Sequence, residues 1–437
     1  MNLPIQSFGR IDRQLPRKAL SGAEGLSQFR STQASKSSFL PYGNGRSYGD
    51  SCLTRHGFHV DMRACNRIMS LNLETGVLTA EPGVILGNLI GHLHGKGWFP
   101  AVVPGTQFVT LGGALANDIH GKNHHGKGTF GSHVLSFKLA RSDGSVVNCS
   151  AIENQDLFAA TIGGMGLTGI VIELTMQLAK VNAHSVRQST IPFASLDGYF
   201  ELIENEGDAH EYAVAWIDQL AYGANFGRGL MLLGDHAETD LPNSNKLQLS
   251  VPFQPPVSLL NGWSLKLFNT AYNFAGQRKT GEQIVNAQSF FFPLDAVKNW
   301  NRLYGPRGLY QHQSVIPLDA APEIIPAMLR ATHDAGEASF LTVLKKFGAI
   351  ASPGLLSFPR SGHTLTLDFP NRGMRTLSLL NRLDHLVLQA GGAVNPYKDA
   401  RMSAAMLKAS FTNWQMLEAM RDPAIVSDFW TRTALTL

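Results

Sequence analysis

The spacing of apolar and polar positions changes near residue 183. Before that point, short apolar runs are separated by glycines and tight turns, a pattern typical of short strands. After it, longer helical stretches occur, as at 196–206 and 320–335. Strand-like runs, as at 213–217 and 363–369, are mixed with them. We therefore predict one domain up to residue 182 and a second domain after it.

Two apolar stretches with few charges stand out, at 97–117 and 257–268. The first is interrupted by glycines and prolines, so it predicts buried strands and turns rather than a membrane-spanning helix. The second predicts a helix with one apolar face formed by Leu259, Leu260, Trp263, Leu265 and Phe268. Such a helix either packs on its own domain or presents a surface to a lipid or a membrane interface.

The composition narrows the function classes. The chain has 437 residues, 43 of them glycine, and only 16% are charged, so we expect a large globular protein. Its net charge of +4 comes without a clustered basic segment, and no nucleic-acid partner is expected. The three cysteines are odd in number and far apart, which favours a reducing compartment. The N-terminal MNLPIQSFGRIDRQ has no apolar core of a secretion signal, so a cytoplasmic location is expected.

The first glycine cluster is PYGNGRSYGD at 41–50, which follows a predicted short strand. Glycines at this density allow successive backbone N–H groups to point into one concavity, where they bind phosphate oxygens. Ser47 adds a hydroxyl, and Arg46 adds a charge that offsets a diphosphate. The alternative is an ordinary tight loop. The Lys-Ser/Thr ending of a Walker loop is absent, so nucleotide hydrolysis is not indicated.

The second cluster is PGTQFVTLGGALANDIHGKNHH at 104–125. Its glycine pair opens an apolar helical start whose small side chains let the backbone lie against a flat ligand. His120 and His124 have the spacing of two metal ligands on a helix, but the glycine between them and the missing glutamate weigh against a metal site. We expect polar residues of a cleft here, with Lys122 and some histidines contacting ligand oxygens. A structural hydrogen bond is the alternative for each histidine.

The third cluster, GGMGLTG at 163–169, contains the pattern G-x-G-x-x-G. A dinucleotide-binding Rossmann site needs a strand before these glycines and a helix after them. Here the preceding NQDLFAATIG is helix-like, and the following IVIELTMQL alternates as a strand does. We therefore reject a nicotinamide site and predict a backbone turn close to a ligand.

These three clusters, in this order, resemble the FAD-dependent oxidoreductases of the vanillyl-alcohol-oxidase/p-cresol-methylhydroxylase type. Within that family the sequence is most similar to the branch of decaprenylphosphoryl-β-D-ribose 2′-oxidases. The similarity continues through AWID (215–218), YQHQSVIP (310–317), VLKKFG (343–348), LSFPRSGHTLTLDFP (356–370) and YKDAR (397–401). Several motifs in the correct order are more specific than any single motif.

The resemblance implies an α+β fold. A two-part FAD-binding domain would be formed by residues 1–182 and 394–437. A substrate-binding (cap) domain, built on an antiparallel sheet flanked by helices, would be inserted at 183–393.

The resemblance also implies FAD as the cofactor. The 43–50 loop would hold the diphosphate, while 110–121 and 163–170 would line the isoalloxazine and the adenine half. Some relatives bind FAD covalently through a histidine in the first loop. Arg46 takes that place here, so non-covalent FAD is expected. The implied cofactor residues are Gly43, Asn44, Gly45, Arg46, Ser47, Tyr48, Gly49, Pro104, Gly105, Thr110, Gly112, Gly113, Asn117, His120, Gly121, Gly164, Gly166, Gly169 and Ile170.

The implied catalytic residues are Lys398, beside the reacting hydroxyl as base or proton relay, and His120. Without the resemblance, Lys398 would be read as an exposed lysine at a helix start. The implied substrate-binding residues are Tyr48, Lys122, Gln311, Gln313, Lys345, Thr366 and Lys398. Thr366 stands where relatives often have a cysteine, His312 replaces an aromatic residue, and Asn395 replaces a tyrosine. These departures affect the identity of the expected substrate, whereas the expectation of a flavin cofactor is unchanged.

The expected function is oxidation of the 2′-hydroxyl of a lipid-linked sugar phosphate, a polyprenyl-phosphoryl pentose, to a keto sugar. A separate keto-sugar reductase would complete the epimerisation, as a step of cell-wall or polysaccharide synthesis. The alternatives are a soluble alditol or aldonolactone oxidase and a flavin-binding subunit without turnover. The expected location is the cytoplasm, with the 257–268 stretch as the candidate contact to the inner face of the membrane. No metal is expected.

Overall fold

A computed structural model describes residues 5–11, 18–31, 37–242 and 249–437. Residues 1–4 and 12–14 of the segment inspected for a secretion signal lie outside the described residues. The strands in chain order are β1 Lys18–Ser21, β2 Phe39–Tyr42, β3 Phe58–Asp61, β4 Ile68–Leu71, β5 Val77–Ala80, β6 Trp98–Phe99, β7 Val134–Ala140, β8 Val146–Ser150, β9 Ile170–Gln177, β10 Ala179–Lys180, β11 Val186–Phe193, β12 Tyr212–Ile217, β13 Gly229–His236, β14 Leu249–Ser250, β15 Gly281–Val285, β16 Val297–Lys298, β17 Leu309–Ile316, β18 Thr342–Phe347, β19 Gly362–Pro370 and β20 Ala393–Val394. The α-helices are α1 Gly22–Arg30, α2 Leu86–Leu93, α3 Leu111–Ala116, α4 His124–Lys127, α5 Gln155–Thr161, α6 Leu196–Asn205, α7 Gly262–Gln277, α8 Ala287–Phe291, α9 Ala321–Asp334, α10 Met374–Gln389, α11 Ala404–Ser410, α12 Trp414–Met420 and α13 Asp428–Arg432.

The described residues of the first part of the chain form three sheets, one of them the two-stranded pair β6 and β10, from mostly short strands as the sequence predicts. Strands β1, β3 and β2 pair in parallel, and β4-β5-β9-β7-β8 form an antiparallel sheet. The strand predicted before the 41–50 loop is β2. Around 163–169 the helix α5 precedes the glycines and the strand β9 follows them. The order that excludes a Rossmann fingerprint is therefore confirmed.

A large antiparallel sheet follows, with the strand order β15-β11-β13-β12-β18-β19-β17-β20 in the described part of the chain. The helices predicted at 196–206 and 320–335 are α6 and α9, and the strands predicted at 213–217 and 363–369 are β12 and β19. Antiparallel sheets combined with separate helices give an α+β fold, as expected.

The two faces of the large sheet differ because side chains alternate along each strand. Leu344, Leu365 and Leu367 point to one face, where they are buried in a core shared with helices α6, α9 and α10. Gln313 and Thr366, which are direct partners across β17 and β19, belong to the alternate positions. One face is thus buried by apolar packing, and the opposite face keeps polar side chains available for a site.

Two of the helices that cover this sheet begin with clear capping chemistry. Ser195 Oγ accepts a hydrogen bond from the Gly198 N–H at 3.3 Å and satisfies a free donor at the start of α6. Pro322 lies in the first turn of α9, where the missing N–H has no intrahelical partner to lose. These starts agree with the boundaries that the sequence predicts.

Helix α7 differs from the helix predicted over 257–268. Leu260 and Leu265 are buried, whereas Trp263 is 86% exposed, so the prediction that the five apolar residues share one face is wrong. Residues two apart on a helix point roughly 200° apart, which separates Trp263 from Leu265. Within the described ranges, no helix combines the length and apolar character needed to cross a bilayer.

Candidate active site

A cavity of about 1130 Å³ lies between the glycine-rich loops and the polar face of the large sheet. Pockets for one small ligand commonly measure roughly 300–1,000 Å³, so this cavity has room for a dinucleotide and part of a second molecule. The predicted site residues that line it are Gly43, Asn44, Gly45, Arg46, Ser47, Tyr48, Pro104, Gly105, Thr110, Gly112, Gly113, Asn117, His120, Gly166, Gly169, Gln311, Gln313, Lys345, Thr366 and Lys398. The predicted site residues that lie outside its lining are Gly49, Gly121, Lys122, Gly164 and Ile170.

One side of the cavity offers mainly backbone and small side chains to a ligand. We call this side the glycine wall; it consists of the lining residues within 43–48, 104–120 and 166–169. Two of its loops approach so closely that a Cβ on Gly43 would lie 2.4 Å from Thr110 Oγ1. The Thr110 hydroxyl accepts a hydrogen bond from the Gly113 N–H at 3.2 Å and caps α3. Asn117 Nδ2 donates to Ser47 Oγ at 3.3 Å and joins the loops again. The wall is therefore fixed in a shape that a flat or phosphorylated ligand can approach closely.

Arg46 provides the positive charge of the glycine wall. Its guanidinium lies 5.4 Å from the ring centroid of Phe8 and 5.2 Å from that of Phe108. Burial lowers its pKa, and the Asp295 carboxylate opposes that effect. Arg46 Nε is buried without a hydrogen-bond partner among the described residues. A bound anion would satisfy this donor, so the wall fits a diphosphate.

The opposite side of the cavity offers long polar side chains. We call it the sheet wall; its members are Gln311, Gln313, Lys345 and Thr366. Gln313 Nε2 lies 3.0 Å from His120 Nε2 and donates to Thr364 Oγ1 at 3.0 Å. Asn395 Nδ2 donates to Gln313 Oε1 at 3.0 Å. Gln313 therefore joins the sheet wall to His120 of the glycine wall and holds its own amide in one orientation.

Lys398 lies in the turn after β20 and lines the cavity next to both walls. Its Nζ is 5.8 Å from the ring centroid of Tyr48. Burial lowers the pKa of Lys398 to about 8, while the charge of Asp368 acts in the opposite direction. A neutral amine is thus accessible near physiological pH, as a proton acceptor requires. The alternative of an exposed lysine at a helix start does not hold.

Asp368 is a site residue that the sequence prediction did not include. It is fully buried on β19 and accepts a hydrogen bond from Gln311 Nε2 at 2.6 Å. Burial raises its pKa to about 7, and the Gln311 hydrogen bond and the charge of Lys398 limit that rise. The period of two along LTLDFP places Asp368 on the same face as Thr366 and gives the signal by which it could have been found.

Several basic groups lie partly buried at and behind the cavity, and they lower one another's pKa values. Burial, followed by the charges of Lys398 and Lys122, lowers the pKa of Lys345 to about 7. Burial, followed by the charges of Lys345 and Lys398, lowers the pKa of His120 well below its usual range. His120 is therefore neutral, and the site gains free energy when an anion enters.

Three of the predicted site residues that do not line the cavity lie directly behind its walls. Lys122 Nζ donates a hydrogen bond to the backbone carbonyl of Phe290. It also lies 4.2 Å from the centroid of the Phe290 ring. A Cβ on Gly49 would lie 2.1 Å from the Asp399 carbonyl oxygen, so this glycine admits the segment that carries Lys398. A Cβ on Gly121 would lie 3.0 Å from the Val103 carbonyl oxygen. Gly164 packs against α5, and Ile170 is buried in the core.

The two histidines considered as metal ligands both pack against the Phe347 ring but differ in their hydrogen bonding. The ring of His120 faces Gln313, whereas His124 begins α4 and is buried with neither ring nitrogen bonded to a described residue. Among the described residues, no group of three or more His, Cys, Asp or Glu side chains is arranged to hold a metal ion.

Known proteins resemble this chain over different lengths. The FAD binding domain family matches residues 27–150. The chain is 34% identical over 397 residues to decaprenylphosphoryl-beta-D-ribose oxidase of Mycolicibacterium smegmatis, covering 87% of this chain and 85% of that protein. It is 32% identical over 361 residues to an uncharacterized protein in the mprA 5′ region of Streptomyces coelicolor, covering 78% of this chain and 96% of that protein. L-gulonolactone oxidase of Mus musculus is 30% identical over 137 residues, which cover 31% of this chain and 30% of that protein.

Proposed function

This chain belongs to the family of FAD-binding oxidoreductases that includes decaprenylphosphoryl-beta-D-ribose oxidase, and on that basis we propose that it oxidises the 2′-hydroxyl of a polyprenyl-phosphoryl pentose to the 2′-keto sugar. It is an FAD-dependent oxidoreductase acting on CH–OH groups. The observation that carries the substrate proposal is Lys398, a partly buried lysine with a lowered pKa that lines the cavity together with Gln311, Gln313 and Lys345.

FAD supplies the acceptor for the two electrons and the hydrogen that leave the sugar carbon. The glycine wall would hold it, and the 43–48 loop with Arg46 would bind its diphosphate. The free Arg46 Nε and the close loop contact at Gly43 support this placement. Because Arg46 stands where some relatives have the linking histidine, we propose that the flavin is bound non-covalently.

Lys398 accepts the hydroxyl proton in its neutral form, which its lowered pKa makes available. His120, kept neutral by burial and by the neighbouring lysines, positions the same hydroxyl together with Gln313. Asp368 tunes Lys398 by its charge and fixes Gln311 by its hydrogen bond. These residues therefore remove one proton and hold one carbon in position for oxidation.

The phosphate of the substrate is assigned to Lys345, which reaches the cavity and also donates to the Gly121 carbonyl at 3.3 Å. A bound phosphate would replace the neutral Gly121 carbonyl with a charged hydrogen-bond acceptor. The protonated form of Lys345 would then be favoured. Lys122 adds its charge from behind Lys345. Tyr48 and Thr366 complete the pocket around the sugar.

The proposal includes the domain division into 1–182, 183–393 and 394–437, with the large sheet in the substrate domain. A separate reductase returns the keto sugar to the opposite epimer. The protein acts at the inner face of the membrane, where a polyprenyl-phosphoryl substrate resides.

Anaerobic flavin reduction across a panel of sugars tests the proposal. The FAD-loaded protein is mixed with a polyprenyl-phosphoryl ribose, the corresponding arabinose, free ribose, an alditol and an aldonolactone. We expect loss of oxidised-flavin absorbance with a lipid-linked pentose and no change with the free sugars. Reduction by the alditol or the lactone alone identifies a soluble sugar oxidase instead. No reduction by any compound identifies a non-catalytic flavoprotein.

A further inference from the structure

Helix α7 exposes a set of large apolar side chains to solvent, while two asparagines are buried on its inner side beside Leu265. Trp263, Leu267 and Phe274 are 86%, 74% and 53% exposed. Their spacing of four and seven residues places them on one face of the helix. On the opposite face Asn269 and Asn273 are buried, and Asn269 Nδ2 donates to Asp218 Oδ1 at 2.9 Å. Single exposed apolar residues are common, but an aligned set marks a contact surface.

The segment before the helix extends this apolar character. Leu259 is 49% exposed, and its carbonyl accepts a hydrogen bond from Ser264 Oγ at 2.9 Å, which fixes it beside the first turn of α7. We call Leu259, Trp263, Leu267 and Phe274 the α7 surface. Val257 and Phe253, farther upstream, are also more than half exposed.

The charge around the α7 surface selects an anionic partner. No aspartate or glutamate occurs between residues 241 and 281. Lys266, Arg278 and Lys279 are exposed in the same region. Lys266 and Arg278 flank the apolar stripe, and Arg278 lies 4.1 Å from the ring centroid of Phe274. An apolar stripe bordered by cations, with no carboxylate in the same segment of the sequence, is the pattern of a helix lying in the interface of an anionic bilayer.

A row of aromatic rings connects this helix to the cavity. Phe268 of α7 lies 5.0 Å from Phe340, and Phe340 lies 6.1 Å from Trp300, all measured between ring centroids. Trp300 lies 5.2 Å from Phe8, which in turn lies 5.1 Å from Tyr48. Trp300, Phe8 and Tyr48 line the cavity. Trp300 is buried in this row, and Phe8, Tyr48 and Phe340 pack against the same apolar cluster.

We infer that the α7 surface seats the protein on an anionic bilayer, and that this places the apolar cluster and the cavity beside it next to the bilayer that holds the isoprenoid tail of the substrate. The second part rests on the proposed function, which supplies the identity of the tail. The first part stands on the surface itself.

Vesicle binding of the FAD-loaded protein tests this inference. The vesicles contain phosphatidylcholine with or without phosphatidylglycerol, and flotation gives the bound fraction. The variant combines Trp263→Ser, Leu267→Ser and Phe274→Ser, and its matched control combines Ile152→Ser and Met374→Ser. Both control positions are at least as exposed as Phe274, at 89% and 74%, and lie outside the α7 surface.

We expect the native protein and the control to bind the anionic vesicles, and the triple variant to bind roughly tenfold more weakly. A second variant, Lys266→Glu with Arg278→Glu, should lose binding to the anionic vesicles while retaining FAD. Native protein that stays unbound, or a triple variant that binds as the native protein does, overturns the inference. A native dimer that only the triple variant lacks assigns the surface to a second copy and also overturns it.

Flavin reduction by a short-chain, water-dispersed polyprenyl-phosphoryl ribose separates the two proposals. We expect the triple variant to react with it at the native rate, because none of the three residues lines the cavity. If the native protein binds vesicles but is not reduced, the proposed function fails and the membrane surface stands. If the flavin of the native protein is reduced but the protein does not bind vesicles, the membrane surface fails and the proposed function stands.

Discussion

The two walls of the cavity differ in the chemical groups that they present to a ligand. The glycine wall meets a ligand with backbone, hydroxyls and one arginine, and its shape depends on contacts as close as that between Gly43 and Thr110. The sheet wall meets a ligand with glutamines and a lysine that hydrogen bonds hold in place. Lys398 belongs to neither wall and stands beside both.

This difference assigns cofactor binding to one wall and substrate recognition to the other. A backbone surface recognises shape and tolerates no added atoms, so changes there should affect cofactor retention. A side-chain surface recognises hydrogen-bonding groups and charge, so changes there should affect substrate and chemistry while the cofactor stays. Each variant below tests whether the two tasks are as separate as the structure indicates.

The largest effect is expected for Lys398→Ala, which removes the proton acceptor next to both walls. We expect flavin reduction to slow about a thousandfold while FAD content stays native. Lys408→Ala on α11, an exposed lysine outside the cavity, is the matched control. Anaerobic stopped-flow absorbance gives the rates. A native rate for Lys398→Ala would remove this residue from the chemistry.

Gly105→Val adds side-chain atoms to the glycine wall. A Cβ at Gly105 meets no described atom within 4 Å, and the residue lines the cavity, so the chain should fold and the added atoms should occupy cofactor space. We expect FAD affinity to fall about tenfold to a hundredfold, measured by titration of the apoprotein. Gly91→Val, equally open but outside the cavity lining, should bind FAD normally. Equal affinities for the two variants would contradict a cofactor role for this wall.

Gln313→Leu removes the hydrogen-bonding centre of the sheet wall. The change leaves Asn395 Nδ2 and His120 Nε2 without their partner. We expect kcat/KM to fall roughly tenfold with FAD content unchanged, because one or two hydrogen bonds are lost. Steady-state kinetics with the lipid-linked pentose measures the loss, and the exposed Gln389→Leu serves as control. Loss of FAD instead of kcat/KM would show that the walls share their tasks.

The smallest effect is expected for Asp368→Asn, which changes a charge without changing shape. In the native protein the rate of flavin reduction should rise with pH through about 8, because only neutral Lys398 accepts a proton. The Asp368 charge raises that pKa, so the amide should move the midpoint of the profile to lower pH. Stopped-flow rates from about pH 6 to about pH 10 give both midpoints. A midpoint that stays in place would exclude electrostatic tuning by Asp368.

Local patterns in the sequence predict much of this arrangement. The period of two along 363–369 gives β19, and the helix-before-strand order at 163–169 excludes the Rossmann reading. The glycine clusters predict the loops of the glycine wall because glycine density acts over a few neighbouring residues. The roles of these loop residues toward FAD remain predictions.

Features that depend on distant partners could not be predicted. Asp368 gains its importance from its pairing with Gln311 across β17 and β19. The outward direction of Trp263 follows from the hydrogen bond that holds Asn269 to Asp218 on the opposite side of α7. Lys122 is held behind the cavity by the carbonyl of Phe290. In each case the partner lies on another element, and neither residue identifies it by its local sequence.

The contact between Gly49 and the Asp399 carbonyl joins the beginning of the chain to its end. The Arg432–Asp50 ion pair, at 2.7 Å, adds a second tie between the same regions. Domains fold from the N-terminus as the ribosome releases them, so the glycine loops emerge long before the turn that carries Lys398. The site is therefore completed only after the turn that carries Lys398 has been synthesised, and chains that stop before this turn should expose half of the cavity to solvent and to chaperones.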